Sequence, residues 1–304
     1  MRRSNMERPK APERAAAPRG RLGSYIELTK PRLTLLALLT TVTGFYIGAA
    51  GGIDPLLLVQ VLAGTAMLGG GLAALNQYFE RHIDAAMPRT DRRPLPSGRM
   101  RPPEALAFGA TGSVAGIALL YFAANPLTAG LAAATLVLYL LAYMPLKRVT
   151  PWCTVVGAIP GALPPVMGYT AASGTFDSGA IVLFLILFLW QLPHFMAIAL
   201  FYREEYRAVG MLMLPVVDPD GRRTARQIVL YSVALLVTSL WPTYVGIAGL
   251  SYLMTALLLG FVFGAFAFDT AVGSTRLAAR RLFLASVFYL PLLLAVMMWD
   301  KAPV

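Results

Sequence analysis

The stretch Asn76-Gln77-Tyr78-Phe79-Glu80-Arg81-His82-Ile83-Asp84 ends a long apolar run and leads into a loop that carries Met87, Arg89, Thr90, Arg93, Pro94 and Leu95. Asn76, Glu80 and Asp84 stand at i, i+4 and i+8. On an α-helix of about 3.6 residues per turn, that spacing stacks all three on one face. The apolar run that leads to them, 55–79, reaches the roughly 20 residues that cross a bilayer. Three oxygen-bearing side chains on one stripe, at the mouth of a membrane helix, are costly unless something compensates. A hard cation such as Mg²⁺ compensates, because it takes oxygen ligands and usually bridges to a phosphate. The arginines just beyond supply what a diphosphate needs. The plainer reading is a juxtamembrane helix end that turns polar, but such an end needs neither a stripe nor an arginine row behind it.

Working outward, the whole chain is of one kind. Of its 304 residues, 57% are hydrophobic and 13% charged, where a soluble chain is about 25% charged. Mean hydropathy is +0.64. Nine apolar spans fall near 33–51, 55–79, 104–123, 127–145, 154–172, 180–201, 227–246, 249–270 and 281–299. The expected class is therefore all-α, a polytopic membrane protein with nine transmembrane helices. Pro31 stands where a proline opens a helix. Gly51-Gly52-Ile53-Asp54 and Ala124-Asn125-Pro126 are short enough to be hairpin links between helices.

Charge orients this layout. With the N-terminus inside, the inside segments are the tail, 80–103, 146–153, 202–226 and 271–281. These and the approach to the first span hold every one of the 26 Lys and Arg residues except Lys301. So strong a bias fixes the cytoplasmic side and puts the C-terminus outside. The net charge of +11 thus reflects membrane topology and is no argument for nucleic acid. The two longest inside loops lie four spans apart, which hints at two related halves.

One cysteine, Cys153, excludes an intrachain disulfide and a cysteine metal cluster. With His82 and His194 as the only histidines, a multi-histidine metal site is excluded too. Residues 1–22 are rich in Arg, Pro and Ala without an apolar core. They are expected to form a disordered basic cytoplasmic tail rather than a signal peptide, with a mitochondrial presequence as the weaker option. The membrane domain is expected over 23–304.

A second cluster follows the sixth span: Trp190-Gln191-Leu192-Pro193-His194, then Tyr202-Arg203-Glu204-Glu205-Tyr206-Arg207, then Met213-Leu214-Pro215. Two acidic clusters at equivalent ends of two helices could face each other and hold Mg²⁺ against a diphosphate. Equally, Glu204 and Glu205 could form a solvated face paired with Arg203 and Arg207. Lys147 and Arg148, taken alone, read as ordinary inside anchors. His194 lies within a span, where polar residues tend to be functional. It offers an imidazole of the kind that ligates haem iron, or else a hydrogen bond to a neighbouring helix. His82, on another face between Glu80 and Asp84, is expected to meet water or headgroups.

Together these residues resemble a known family. Asn76-x-x-x-Glu80-x-x-x-Asp84 followed by Met87-x-Arg89-Thr90-x-x-Arg93-Pro94-Leu95 is similar to the signature of the intramembrane (UbiA-type) prenyltransferases. Leu146-Lys147-Arg148-x-Thr150-Pro151, Gly157 through Pro165, Trp190-Gln191-x-Pro193-His194-Phe195 and Met213-Leu214-Pro215 resemble the haem-modifying branch of that family. The resemblance covers about 24–300. It implies a helical bundle around a central cavity and Mg²⁺-dependent transfer of the farnesyl group of farnesyl diphosphate to a haem B vinyl group, giving haem O. It further implies that Asn76, Glu80 and Asp84 form the first metal motif and are catalytic. Arg89, Arg93, Lys147 and Arg148 would hold the diphosphate, and His194 would meet the haem. Glu204 and Glu205 fall where the family carries its second acidic motif. There the family usually has aspartates four apart, whereas here Tyr202 and Tyr206 flank the two glutamates. A haem A synthase or oxidase-assembly protein would be a partner.

Three other readings stay open on the sequence. A quinone precursor or a chlorophyllide could be the acceptor; the Trp190–His194 segment discriminates, since a phenolic acceptor has no need of an iron ligand. A secondary transporter would put charges near the bilayer midplane, whereas here the charges gather at one face. A non-catalytic haem-handling protein would bind both substrates without turnover.

Overall fold

The computed structural model describes residues 20–273 and 275–302. Among them all named elements are helices. In chain order they are α1 (Arg21–Leu28), α2 (Pro31–Gly48), α3 (Pro55–Ala86), α4 (Pro102–Ala123) and α5 (Pro126–Val137). A π-helical segment (Leu138–Tyr143) carries α5 into α6 (Met144–Leu146). Then follow α7 (Cys153–Gly161), α8 (Leu163–Ser173), α9 (Ser178–Phe201), α10 (Arg203–Ala208), α11 (Leu214–Val217), α12 (Arg222–Tyr244), α13 (Leu250–Gly273) and α14 (Arg276–Trp299).

Among the described residues, eight helical stretches are long and apolar enough to cross a membrane: α3, α4, α5 to α6, α7 to α8, α9, α12, α13 and α14. The expected first span corresponds to α2. It is 18 residues long, begins Pro31-Arg32 and includes four threonines, and it is not among the eight. Of the expected tail, residues 1–19 lie outside the described residues, and Arg21 and Leu22 already belong to α1.

Local chemistry sets the helix starts. Proline occupies the first turn of α2, α3, α4 and α5, where its missing N–H costs nothing. Side chains also cap the orphan amides of several first turns. Asp54 accepts from Leu56 and Leu57 at the start of α3. Asn125 accepts from Thr128 at α5, Asp177 from Gly179 at α9, and Thr275 from Ala278 at α14.

Besides two smaller clusters near the end of α3, two large apolar cores form. One draws Phe45, Leu68, Leu120, Ala132 and Met167 from α2, α3, α4, α5 and α8. The other gathers Ile186, Leu235, Phe263, Leu282 and Leu293 from α9, α12, α13 and α14. Small residues let backbones close up in the first half, as membrane helix pairs require. A Cβ at Gly71 would meet the Gly109 carbonyl at 2.7 Å, and one at Gly116 the Gly64 carbonyl at 2.6 Å, so α3 and α4 touch backbone to backbone. The outward faces carry Phe122, Val237, Leu258, Phe261 and Phe288, all exposed, as expected of helices solvated by lipid.

The loop at the end of α3 meets the junction of α9 and α10, and the stretch after α10 meets the end of α6. Arg89 lies 5.0 Å from the Tyr202 ring centroid, and Leu212 N donates to the Lys147 carbonyl at 3.0 Å. The opposite end is closed by Lys301, which donates to the Tyr46 and Ala49 carbonyls at 2.8 Å. The cationic loops therefore gather at one end of the bundle, and Lys301 stands at the other.

Candidate functional site

Asn76, Glu80 and Asp84 share the inner face of α3 and are 3%, 9% and 4% exposed. Each is partnered. Asn76 Nδ2 donates to Glu80 Oε2 at 2.8 Å. Lys147 Nζ donates to Glu80 Oε1 at 2.8 Å. Arg93 Nη1 donates to both Asp84 carboxylate oxygens at 2.7 Å. Two buried carboxylates are thus each matched by a cation from another segment, the arrangement that offsets the cost of burying charge.

Local structure explains why those cations arrive. After α3 the loop turns back on itself. Thr90 Oγ1 donates to the Asp84 carbonyl at 2.8 Å, and Arg93 N donates to the Thr90 carbonyl at 3.1 Å, which aims Arg93 at the helix it has just left. Lys147 follows the π-helical segment, a feature often found at functional sites. In that segment Tyr139 donates its hydroxyl to Asn76 Oδ1 at 2.5 Å, and Lys147 Nζ lies 4.5 Å from the Tyr143 ring centroid. Gly157 makes room for that ring, since a Cβ there would lie 2.5 Å from two of its carbons.

Lys30 completes the cluster. It sits between α1 and α2 in the left-handed region, with φ +48°. Gln77 on α3 braces this turn, donating to the Leu28 carbonyl at 2.9 Å. Burial, then the charges of Arg93 and Lys147, lower the Lys30 pKa to about 8, against the opposing pull of Glu80 and Asp84. For Lys147, burial works against the ammonium, but Tyr139 and Glu80 outweigh it and hold the pKa above its ordinary value.

The second acidic pair divides. Glu204 is exposed and accepts from Arg207 at 3.2 Å. Glu205 has its Oε2 buried and without a hydrogen-bond partner. Tyr206 beside it packs against Ile83 and Met87, so α10 lies against the end of α3; burial lifts its pKa, while the nearby Arg89 and Lys147 pull it down. Arg89 is exposed at the rim over Tyr202. Arg148 is exposed and joins no ion pair among the described residues. His82 is exposed.

His194 lies two turns before the end of α9. Its Nδ1 is 2.7 Å from Ser286 Oγ on α14, its ring stacks on Trp190 at 4.8 Å, and Phe283 stands 5.2 Å away. The neighbouring-helix hydrogen bond anticipated for it is therefore present, and it engages one ring nitrogen only.

Mg²⁺ in phosphate chemistry uses one or two carboxylates and takes its remaining ligands from phosphate and water. Among the described residues no three Asp, Glu, His or Cys side chains are grouped to hold an ion by themselves. The donor set fits the shared mode instead: Glu80 and Asp84 are buried carboxylates, and Glu205 Oε2 is a buried oxygen with no partner.

Several residues of this site were not singled out from the sequence. In the sequence Lys30 is only one of the cations on the approach to the first span. Tyr139 and Gln77 carried no motif. Tyr143 stands four before Lys147, a spacing that puts ring and ammonium on one helical face and was a usable signal.

The chain matches the UbiA prenyltransferase family over residues 37–294, and it belongs to that family. Its architecture is shared by solved structures at low identity. A digeranylgeranylglyceryl phosphate synthase superposes with TM-score 0.76 at 19% identity, covering 92% of this chain and 98% of that one. A UbiA homolog from Archaeoglobus fulgidus bound to DMAPP and Mg²⁺ gives 0.64 at 17% identity, covering 90% and 99%. Among curated relatives, the Protoheme IX farnesyltransferase of Solibacter usitatus is 49% identical over 286 residues, which is 91% of this chain and 98% of that protein.

Proposed function

We propose that this chain transfers the farnesyl group of farnesyl diphosphate to a vinyl group of haem B, with addition of water, to give haem O and diphosphate. The observation that carries this reading is the cluster at the end of α3. Glu80 and Asp84 are buried and held by Lys147 and Arg93, with Lys30 beside them. This is the mixture of oxygen ligands and cations that a metal-bound diphosphate requires. The relatives bearing the protoheme IX farnesyltransferase name direct the choice of farnesyl donor and haem acceptor.

Mg²⁺, when bound, adds positive charge to the departing diphosphate. Glu80 and Asp84 would hold it together with the phosphate, with Asn76 orienting Glu80, and Glu205, whose Oε2 is buried and unpartnered, is the ligand proposed from α10. Lys147 and Arg93 would exchange carboxylate for phosphate oxygens, Lys30 would add its charge, and Arg89 would reach in from the rim. Their charge stabilises what builds on the diphosphate as the C1–O bond breaks. The electron pair leaves with the diphosphate, and farnesyl C1 becomes an allylic cation. Tyr139 and Tyr143 bring aromatic faces to the same cluster. The π electrons of the haem vinyl group form the new C–C bond. Positive charge passes to the carbon next to the porphyrin, where water adds and loses a proton. His194 holds the haem through its iron.

We further read the cation-rich end as the cytoplasmic side of a bacterial inner membrane, with the N-terminus inside and the C-terminus outside. The distribution of Lys and Arg supports this orientation. A farnesylated haem stays in the bilayer, so a haem A synthase or another oxidase-assembly protein is the kind of partner that would receive it.

The test is a two-substrate reaction. Purified protein in liposomes receives haem B, farnesyl diphosphate and Mg²⁺, and the porphyrins are weighed by mass spectrometry. A haem heavier by one farnesyl group and one hydroxyl is expected. Unaltered haem, with farnesylation of an added quinone precursor instead, would overturn the acceptor.

A further inference from the structure

We propose that Ser286 is a positioning residue that holds His194 in the tautomer protonated on Nδ1, leaving the lone pair on Nε2. This rests on the haem reading above. Ser286 is wholly buried on α14, and its hydroxyl makes two hydrogen-bond contacts among the described residues. One is the Phe283 carbonyl at 2.6 Å; the other is His194 Nδ1 at 2.7 Å. Two oxygens 2.6 Å apart repel unless a proton lies between them, and the serine has only one proton to give. That proton goes to Phe283. The contact with the histidine must then run the other way, with Nδ1–H donating to Ser286 Oγ.

The consequence falls on the far side of the ring. A neutral imidazole protonated at Nδ1 carries its free electron pair on Nε2, and Nε2 takes no hydrogen bond from the described residues. Metal-binding histidines are commonly oriented in this way, with the second nitrogen tied to a neighbouring acceptor. The ring is also held in plane. Trp190 stacks on it at 4.8 Å with 24° between the planes, and Trp190 Nε1 donates to the Ser286 carbonyl at 2.8 Å. One serine thus fixes the histidine through its side chain and the stacking tryptophan through its backbone.

The choice of serine also has a chemical meaning. A carboxylate at this place would make the imidazole a stronger donor to iron; a hydroxyl leaves it weaker. A haem that is substrate must depart after reaction, and a modest axial bond suits a group that turns over.

The wild-type protein gives the first test. It has two histidines, so ¹⁵N-histidine labelling yields two rings, and His82→Gln identifies which is His194. The Nδ1–H tautomer is expected, and the Nε2–H tautomer would overturn the proposal. The second test titrates haem B into the purified protein and reads the iron–histidine stretch by resonance Raman. Ser286→Ala should shift or abolish that band and weaken haem binding by about 10- to 100-fold, while Ser286→Thr restores both. Unchanged binding and an unchanged band in Ser286→Ala would overturn it. If wild type farnesylates haem without any iron–histidine band, the inference falls and the function stands. If the band is present but no farnesylated haem forms, the function falls and the positioning role stands.

Discussion

Arg93 Nη1 stands 2.7 Å from both carboxylate oxygens of Asp84. The two residues are nine apart in sequence and meet because the intervening loop folds back. On the proposed function, this arginine is the charge that would be shared with the diphosphate. Arg93→Met should lower kcat by about 10²- to 10³-fold, the range seen when one transition-state donor is lost. Arg93→Lys should restore part of it, since lysine keeps the charge and loses the planar fork. Steady-state kinetics with farnesyl diphosphate as the varied substrate would check this.

The Lys147–Glu80 pair should behave as a coupled unit. Both side chains are mostly buried, at 13% and 11% exposed. Lys147→Met or Glu80→Gln alone leaves one buried charge without its partner, at a cost of roughly 3–5 kcal/mol. The double variant should be less destabilised than the sum of the two. Reversible unfolding in mixed micelles would measure the cycle, and strict additivity would contradict the pairing.

Lys30 predicts a pH dependence. Its folded pKa, about 8, lies below the ordinary 10.5. Between those values the unfolded chain keeps a proton that the folded chain has released, so stability should rise with pH through that window. Binding should move the other way. As pH climbs past about 8 the ammonium is lost, and affinity for a farnesyl diphosphate analogue should fall. Lys30→Arg should flatten the binding profile. Calorimetry at pH 7 and pH 9 on both proteins would decide it.

Glycines make a graded prediction about packing. A Cβ at Gly44 would collide with the Pro165 carbonyl across the α2–α8 contact, whereas one at Gly130 meets nothing within 4 Å. Gly44→Ala should cost 1–3 kcal/mol or more. Gly130→Ala, in the open face of α5, should be neutral or gain up to about 1 kcal/mol from helix propensity. Melting temperatures of the two variants should move in opposite directions or differ by several degrees.

Much of this was legible in the sequence. The i, i+4, i+8 stripe placed Asn76, Glu80 and Asp84 together because helix geometry allows nothing else. The spans announced themselves by length and hydropathy; the first, expected at 33–51, corresponds to α2, whose threonines and Arg32 dilute its apolar character and leave it outside the eight. Other features were hidden for identifiable reasons. Lys30 reaches the cluster through a left-handed turn that no lysine advertises. The π-helical segment, which sets Tyr139 and Tyr143, has no composition of its own. Glu204 and Glu205 read alike in the sequence, yet neighbours on a helix point about 100° apart, so one turned outward and the other inward. Ser286 is one more serine in an apolar helix until Phe283 and His194 are seen on either side of its hydroxyl.

The most direct measurement follows farnesyl diphosphate labelled at C1, mixed with haem B and the purified protein, with and without EDTA. If the α3 cluster joins the two substrates, the label enters the porphyrin with one diphosphate released per label, only when Mg²⁺ is free, and hardly at all in Asp84→Asn or Glu80→Gln. Label that never reaches the porphyrin, or transfer that continues undiminished in both variants, would contradict the account.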